Sequence, residues 1–331
     1  MTESKNNETP DEQDLAKLKF GKMFARGFIK ATQKLGTEHI HRMGMVGDFS
    51  LDANEEQSLR ESLRKKSKDP YGWWLLGHTL LKREEFDEAK QCLDKAVKQY
   101  KEAPYVWRDL GILYKRIGEV DKAREALVNS LELDIPNVYD PETLFELAGV
   151  LMYDEEFTEA LKVLEVQKQQ TPEDIPMWLH IGHCFLRLDF VDEAFTVYEW
   201  IVSKDPSNFE AWSNLGYLYC AHYEWEKAEK ALRRANQLRP NDYDVLMNFG
   251  AMFRMTNQPQ AAVKAYRKAV KIQPNNARPW QELGKALREN GKFDESHEAY
   301  ARALEIEPES ESAAAGMLNT EHARKEIGLE S

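Results

Sequence analysis

The sequence predicts an all-α solenoid of antiparallel helix pairs, and three periodic features predict it. A Gly recurs at Gly77, Gly111, Gly149, Gly182, Gly216, Gly250 and Gly284, at intervals of 34, 38, 33, 34, 34 and 34 residues. Four residues before each Gly stands a bulky side chain: Trp73, Trp107, Phe145, Trp178, Trp212, Leu246 and Trp280. Twelve residues after the Gly comes a small one (Ala89, Ala123, Ala194, Ala228, Ala262, Ser296), with Ala160 one place early in the third unit. Self-similarity at such a period marks stacked supersecondary units.

Each unit reads as two helices of about a dozen residues joined by a turn such as Lys82-Arg83-Glu84-Glu85 or Glu289-Asn290-Gly291-Lys292. On the first helix the bulky residue, the Gly and a residue three later (Tyr114, Phe185, Tyr219, Phe253) share one stripe at helical spacing. Gly and Ala let the two axes approach, and large neighbours fill the flanking space. Pro136, Pro172, Pro206, Pro240, Pro274 and Pro308 then close the second helices. Proline stops a helix because it lacks an amide donor and disfavours helical geometry in the residue before it. The third unit departs from the pattern, with Phe145 and Ala148 in place of Trp and Leu and four residues inserted within 135–141, which predicts an irregular loop there.

These residues resemble the tetratricopeptide repeat (TPR) family in seven units over residues 70–308. The resemblance implies a right-handed superhelix whose first helices line a concave peptide-binding face. Around the array the chain divides into a polar tail (1–14), a basic amphipathic segment (15–52), an N-terminal capping helix (53–69) and a C-terminal capping helix with tail (309–331). Solenoids need such polar lids, because each repeat buries its face only against its neighbours.

Composition narrows the function. The chain of 331 residues carries a formal charge of −12, which argues against nucleic-acid partners, since that affinity comes mainly from Lys and Arg on phosphates. Cys92, Cys184 and Cys220 are isolated, form no CxxC pair and suit a reducing, cytoplasmic setting. No nucleophile elbow, phosphate loop or zinc-protease motif occurs, and the roughly 50 N-terminal residues outside the array and its caps are too few for a separate catalytic domain. The reading is therefore not an enzyme, with no cofactor. His180 and His183 stand at i, i+3 beside Cys184, but no third ligand converges by sequence, so no metal is expected.

The candidate site is the exposed stripe of the first helices. Counted from each Gly at −3, −2, +1, +4 and +5, it holds eight cations (Lys82, Arg108, Lys115, Arg116, Arg187, Arg254, Lys285, Arg288) against five acids (Asp109, Glu146, Asp154, Glu282, Glu289). A positive stripe on an acidic chain favours steering an acidic peptide of a protein partner into the groove. The −2 row carries Asn214 and Asn248, flanked by His180 and Glu282. An amide there can both donate to and accept from an extended backbone, and arrays resembling that of O-GlcNAc transferase use an Asn ladder at this place. Tyr217, Arg187, Arg254, Lys285 and Arg288 stand nearby as side-chain readers. The carboxylate clamp of co-chaperones does not carry over, because Ser213 and Tyr217 stand where it needs Lys and Asn.

The expected role is a protein-interaction scaffold or adaptor of chaperone-like kind. The alternative is a membrane-peripheral assembly or secretion factor. It rests on residues 15–35, where Lys19, Lys22, Arg26 and Lys30 oppose a stripe of Phe20, Phe24 and Phe28.

Overall fold

The computed structural model describes residues 51–133 and 139–326, and among them are sixteen α-helices and no strand. The residues expected to form the tail and almost all of the basic segment, Lys19, Lys22, Arg26 and Lys30 included, lie outside the described residues. So does most of the loop expected within 135–141. The chain forms two compact units that divide after Glu155.

The first unit holds α1 (Ala53–Lys65), α2 (Pro70–Lys82), α3 (Phe86–Gln99), α4 (Pro104–Arg116), α5 (Val120–Leu133) and α6 (Pro141–Tyr153). The second holds α7 (Phe157–Gln170), α8 (Ile175–Arg187), α9 (Val191–Lys204), α10 (Phe209–Ala221), α11 (Trp225–Leu238), α12 (Tyr243–Met255), α13 (Pro259–Ile272), α14 (Ala277–Glu289), α15 (Phe293–Ile306) and α16 (Glu311–Glu326). First helices from α2 to α14 all run 13 residues and second helices from α3 to α15 all run 14. Within each unit, helices consecutive in the chain pack on one another.

Local chemistry sets the boundaries. Asp69, Asp140, Asn208, Asp242 and Asn276 cap first helices by accepting from backbone N–H groups of the first turn. Pro172, Pro206, Pro240, Pro274 and Pro308 fall two residues beyond the ends of their second helices, as expected. The turn between the helices of a pair is the same seven times over. Its middle residue is left-handed in Glu84, Gly118, Glu155, Asp189, Tyr223, Asn257 and Gly291, with φ between 61° and 79° apart from Asn257 at 56°.

These bounds correct the register of the third unit. The residue seven after the helix start is Gly in six first helices, and in α6 it is Ala148. Ala148 is fully buried, while Gly149 is half-buried. From Ala148 the small residue Ala160 follows by the usual twelve, so the third unit is not shortened. Its bulky position is Leu144, not Phe145.

Close approach of the paired helices is the reason for the Gly. A Cβ built on Gly77, Gly111 or Gly216 would lie 2.5–2.8 Å from Leu93, Leu127 or Leu232, sixteen residues on. On Gly182, Gly250 or Gly284 it would meet the rings of Tyr198, Tyr266 or Tyr300 at 2.4–2.9 Å. Tyr300 also meets Gly316 of the final helix, whose Cβ would stand 2.4 Å from the ring. The last pair and its lid thus clasp one aromatic side chain. The outer faces of α1 and α16 are mostly polar.

The recurrent Trp has a second task that its spacing conceals. Trp73, Trp107, Trp178, Trp212 and Trp280 each donate Nε1 to the carbonyl six residues earlier, at 2.7–3.1 Å. The acceptors are Ser67, Lys101, Pro172, Pro206 and Pro274, so the ring pins the connection that brings the chain into each pair. Leu144 and Leu246 cannot make this bond.

Two stability predictions follow the packing. Gly250→Ala is expected to lower stability by about 1–3 kcal/mol through overpacking against Tyr266, read as a fall in Tm by circular dichroism. Trp212→Phe keeps the ring but removes the bond to Pro206, and urea unfolding should show a loss of about 1 kcal/mol.

Candidate functional site

All eight groove residues singled out by sequence lie in the second unit, on its first helices. His180 and Arg187 are on α8, Asn214 and Tyr217 on α10, Asn248 and Arg254 on α12, and Lys285 and Arg288 on α14. The face is carried by helices whose other side is locked into the core by Gly182, Gly216, Gly250 and Gly284. Rigid backbone therefore fixes where each side chain emerges.

The charges of the stripe are largely neutralised within the protein. Arg254 donates Nη1 to Glu282 at 3.0 Å and Nε to both oxygens of Glu289 at 3.0 Å. Burial works against that charge, but Glu289 and then Glu282 outweigh it and raise the Arg254 pKa. Lys285 donates to the other Glu282 oxygen at 2.7 Å. In the first unit Lys115 pairs with Glu146 at 2.8 Å, and Arg108 reaches Asp109, Asp140 and Glu142 at 3.2–3.4 Å. The guanidinium of Arg187 lies over the Phe157 ring, 4.5 Å from its centre. A net charge counted along the sequence therefore overstates what the face offers a ligand.

Arg288 is different. Its Nε is buried and makes no hydrogen bond among the described residues, and the same holds for the hydroxyl of Tyr300. Burial pushes the Tyr300 hydroxyl up to about 12, with the Arg288 charge pulling the other way. A cationic donor and a phenol are left facing an unfilled need for an acceptor.

The amide row is also unengaged. Asn214 and Asn248 are half-buried, and neither side-chain amide is hydrogen-bonded among the described residues. Beside them Tyr217 is 51% exposed and Met255 55% exposed, large apolar side chains standing in water on an otherwise well-packed helix face. Phe249 and Phe253 stack at 5.7 Å and 11° next to Asn248 on α12.

The first unit uses the same register differently. Asp109, in the −2 row, is fully buried, contrary to its expected place on an exposed stripe. It accepts from Trp74 Nε1 at 2.7 Å, lies 2.7 Å from His78 Nδ1, and accepts from Arg108 Nε at 3.3 Å. Burial alone would raise its carboxyl; the hydrogen bond and charge of His78, the charge of Arg108 and the bond from Trp74 outweigh it and hold Asp109 below the usual carboxylate range. This polar cluster ties α2 to α4. No local pattern signals it, because Trp74 and His78 lie one repeat away from Asp109.

The other chemical candidates have local explanations. Partial burial and then the Arg187 charge lower the His183 pKa, and its ring lies 6.2 Å from Phe157. Burial pushes the thiols of Cys92, Cys184 and Cys220 up to about 11, so they are poor nucleophiles. Among the described residues no three His, Cys, Asp or Glu side chains are grouped to hold a metal, and no helix is long and apolar enough to cross a membrane.

Antiparallel pairs in fixed register, six of them built on a Gly-to-Leu or Gly-to-Tyr contact, define a helical-repeat scaffold of the tetratricopeptide class. A model described as a tetratricopeptide repeat matches residues 75–138. The model of the Cilia and flagella-associated protein 70 C-terminal domain matches residues 136–319, more than half of the chain, and the chain belongs to that family. No curated protein matches it by sequence.

Solved structures show the same fold. The Cut9–Hcn1 hetero-tetramer of the APC/C aligns with a TM-score of 0.61 at 14% identity, over 81% of this chain and 52% of that one. This chain thus spans about half the length of that relative. A tetratricopeptide repeat protein from Parabacteroides merdae aligns at 0.57 and 14% identity, over 80% of this chain and 99% of that one. YrrB, a TPR protein described as having an unusual peptide-binding site, aligns at 0.51 and 20% identity, over 58% and 97%. The fold is that of a protein-interaction scaffold.

The Asp109 cluster predicts an acid-sensitive element. A carboxyl with a depressed folded pKa adds stability above its unfolded value near 3.9, and that stability is lost as pH falls toward the folded value. Wild-type protein should lose urea stability between pH 5 and about pH 3, and Asp109→Asn should be weaker by about 3 kcal/mol at pH 7 with a smaller acid loss.

Proposed function

We propose that this chain is a non-catalytic adaptor that holds an extended peptide of a protein partner against the first-helix face of its second unit. The observation that carries the reading is the pair of unengaged, half-buried amides, Asn214 and Asn248, one repeat apart and flanked by exposed Tyr217 and Met255. Each amide can donate to a peptide carbonyl and accept from a peptide N–H. Tyr217, Met255 and the half-buried Leu186 supply apolar contact area, and a preformed helical face keeps the ordering cost on the peptide side.

Preference for an acidic peptide rests on Arg288, whose buried Nε lacks an acceptor, more than on Arg254 and Lys285, which Glu282 and Glu289 already engage. His180 and Arg187 border the face at α8. The likeness to YrrB, by its description a peptide-binding TPR protein, supports the reading at the level of fold. A cytoplasmic, reducing setting is part of it, in keeping with three free cysteines.

An array of extended peptides tests the reading. Asn214→Ala with Asn248→Ala should weaken the best binder about tenfold with Tm unchanged, as expected for two lost neutral hydrogen bonds. Arg288→Gln should erase the preference for acidic over neutral peptides. Arg254→Gln should instead lower Tm, by leaving Glu289 without its guanidinium and Glu282 with Lys285 alone. Undiminished affinity in the double Asn variant would remove the face from consideration.

A further inference from the structure

Two aromatic residues break the register of the array in the same place. The left-handed position of the turn holds Glu84, Gly118, Glu155, Asp189, Asn257 and Gly291 in six pairs, all polar or Gly. In the fifth pair it holds Tyr223, at φ 61°. A bulky side chain there is strained, and such an outlier asks for a reason. The next position holds Glu85, Glu119, Glu156, Glu224, Gln258 and Lys292, and in the fourth pair it holds Phe190.

Neither ring is explained by the core. Tyr223 is 68% exposed and Phe190 is 49% exposed. Tyr223 touches Trp225 edge to face at 5.5 Å, and Phe190 meets Phe185 at 6.2 Å, leaving an open flank on each ring. The two turns belong to one edge of the second unit: Phe195, five residues after Phe190, lies edge to face with His222, the neighbour of Tyr223, at 5.1 Å.

The turns that carry the rings are rich in acids. Exposed Asp189, Asp192 and Glu193 surround Phe190, and exposed Glu224 and Glu226 follow Tyr223. The cations nearby are already paired: Lys227 is bound to Glu224 at 2.5 Å, and Lys162 and Lys168, which line the same hollow as Phe190, are bound to Glu159 and Glu165. Carboxylates in a first turn have a local task, offsetting the helix dipole. Exposed aromatic rings have none. A planar ring bordered by carboxylates is what an arginine side chain needs, since its guanidinium stacks on the ring while its N–H groups bond the carboxylates.

We propose that the turn edge carrying Phe190 and Tyr223 docks an arginine-bearing basic segment of a partner protein, on a surface separate from the groove. The substitutions that test this are ones the array itself supplies at the same register: Tyr223→Gly, as in Gly118 and Gly291, and Phe190→Glu, as in Glu85 and Glu119. The probe is a fluorescein-labelled octa-arginine peptide, with octa-lysine as its counterpart, titrated against full-length protein.

The wild type should bind octa-arginine more tightly than octa-lysine. Tyr223→Gly should hold or raise Tm by releasing the turn while weakening octa-arginine binding several-fold. The double variant should weaken it about tenfold, although Phe190→Glu makes the surface more acidic. Equal affinity for the two peptides would overturn the proposal, as would octa-arginine binding that is unchanged or tightened in the double variant, because attraction to an acidic chain alone predicts both.

Discussion

One contact carries the architecture: a first-helix position without a Cβ, pressed against Leu or Tyr sixteen residues further along. At Gly250 an added Cβ would stand 2.4 Å from Tyr266, so the axes of that pair are as close as the backbone allows. Everything on the opposite face inherits its position from this contact. The exposed residues of α8, α10, α12 and α14 repeat at a fixed register because the buried side of each helix has one way to seat. The Trp-to-carbonyl bonds then fix how each pair is entered, so position is transmitted along a unit through neighbours alone.

Much of this was legible in the sequence, since glycines, small residues and closing prolines have local mechanical causes. The slip in the third unit shows where local reading fails. Gly149 resembles the packing residue, but Ala148 occupies its place, because what matters is the distance from the helix start and not the residue type. The Trp bonds are hidden for another reason: core packing accounts for Trp212 and helix termination for Pro206, so neither residue points to the other.

Charge was the least legible property. Arg254 and Glu289 are 35 residues apart in sequence yet joined by two bonds of 3.0 Å, and Glu282 serves Arg254 and Lys285 together. A stripe that sums to positive along the chain becomes largely a lattice of pairs when folded, and the groups left over include the amides Asn214 and Asn248 and the buried Nε of Arg288. Asp109 makes the same point from inside the protein. It occupies the amide row but faces Trp74 and His78, and its carboxyl joins helices instead of lining a surface.

The aromatic ring held between Gly284 and Gly316 has a consequence for how the molecule comes apart. Terminal repeats of a linear array have one neighbour instead of two and ordinarily open first. Here the closing helix cannot lift away without uncovering Tyr300, whose other side is the contact that unites the final pair. The helix Glu311–Glu326 and the pair it covers are therefore expected to melt as one cooperative block, which keeps the apolar surface around Tyr300 from being presented to other molecules.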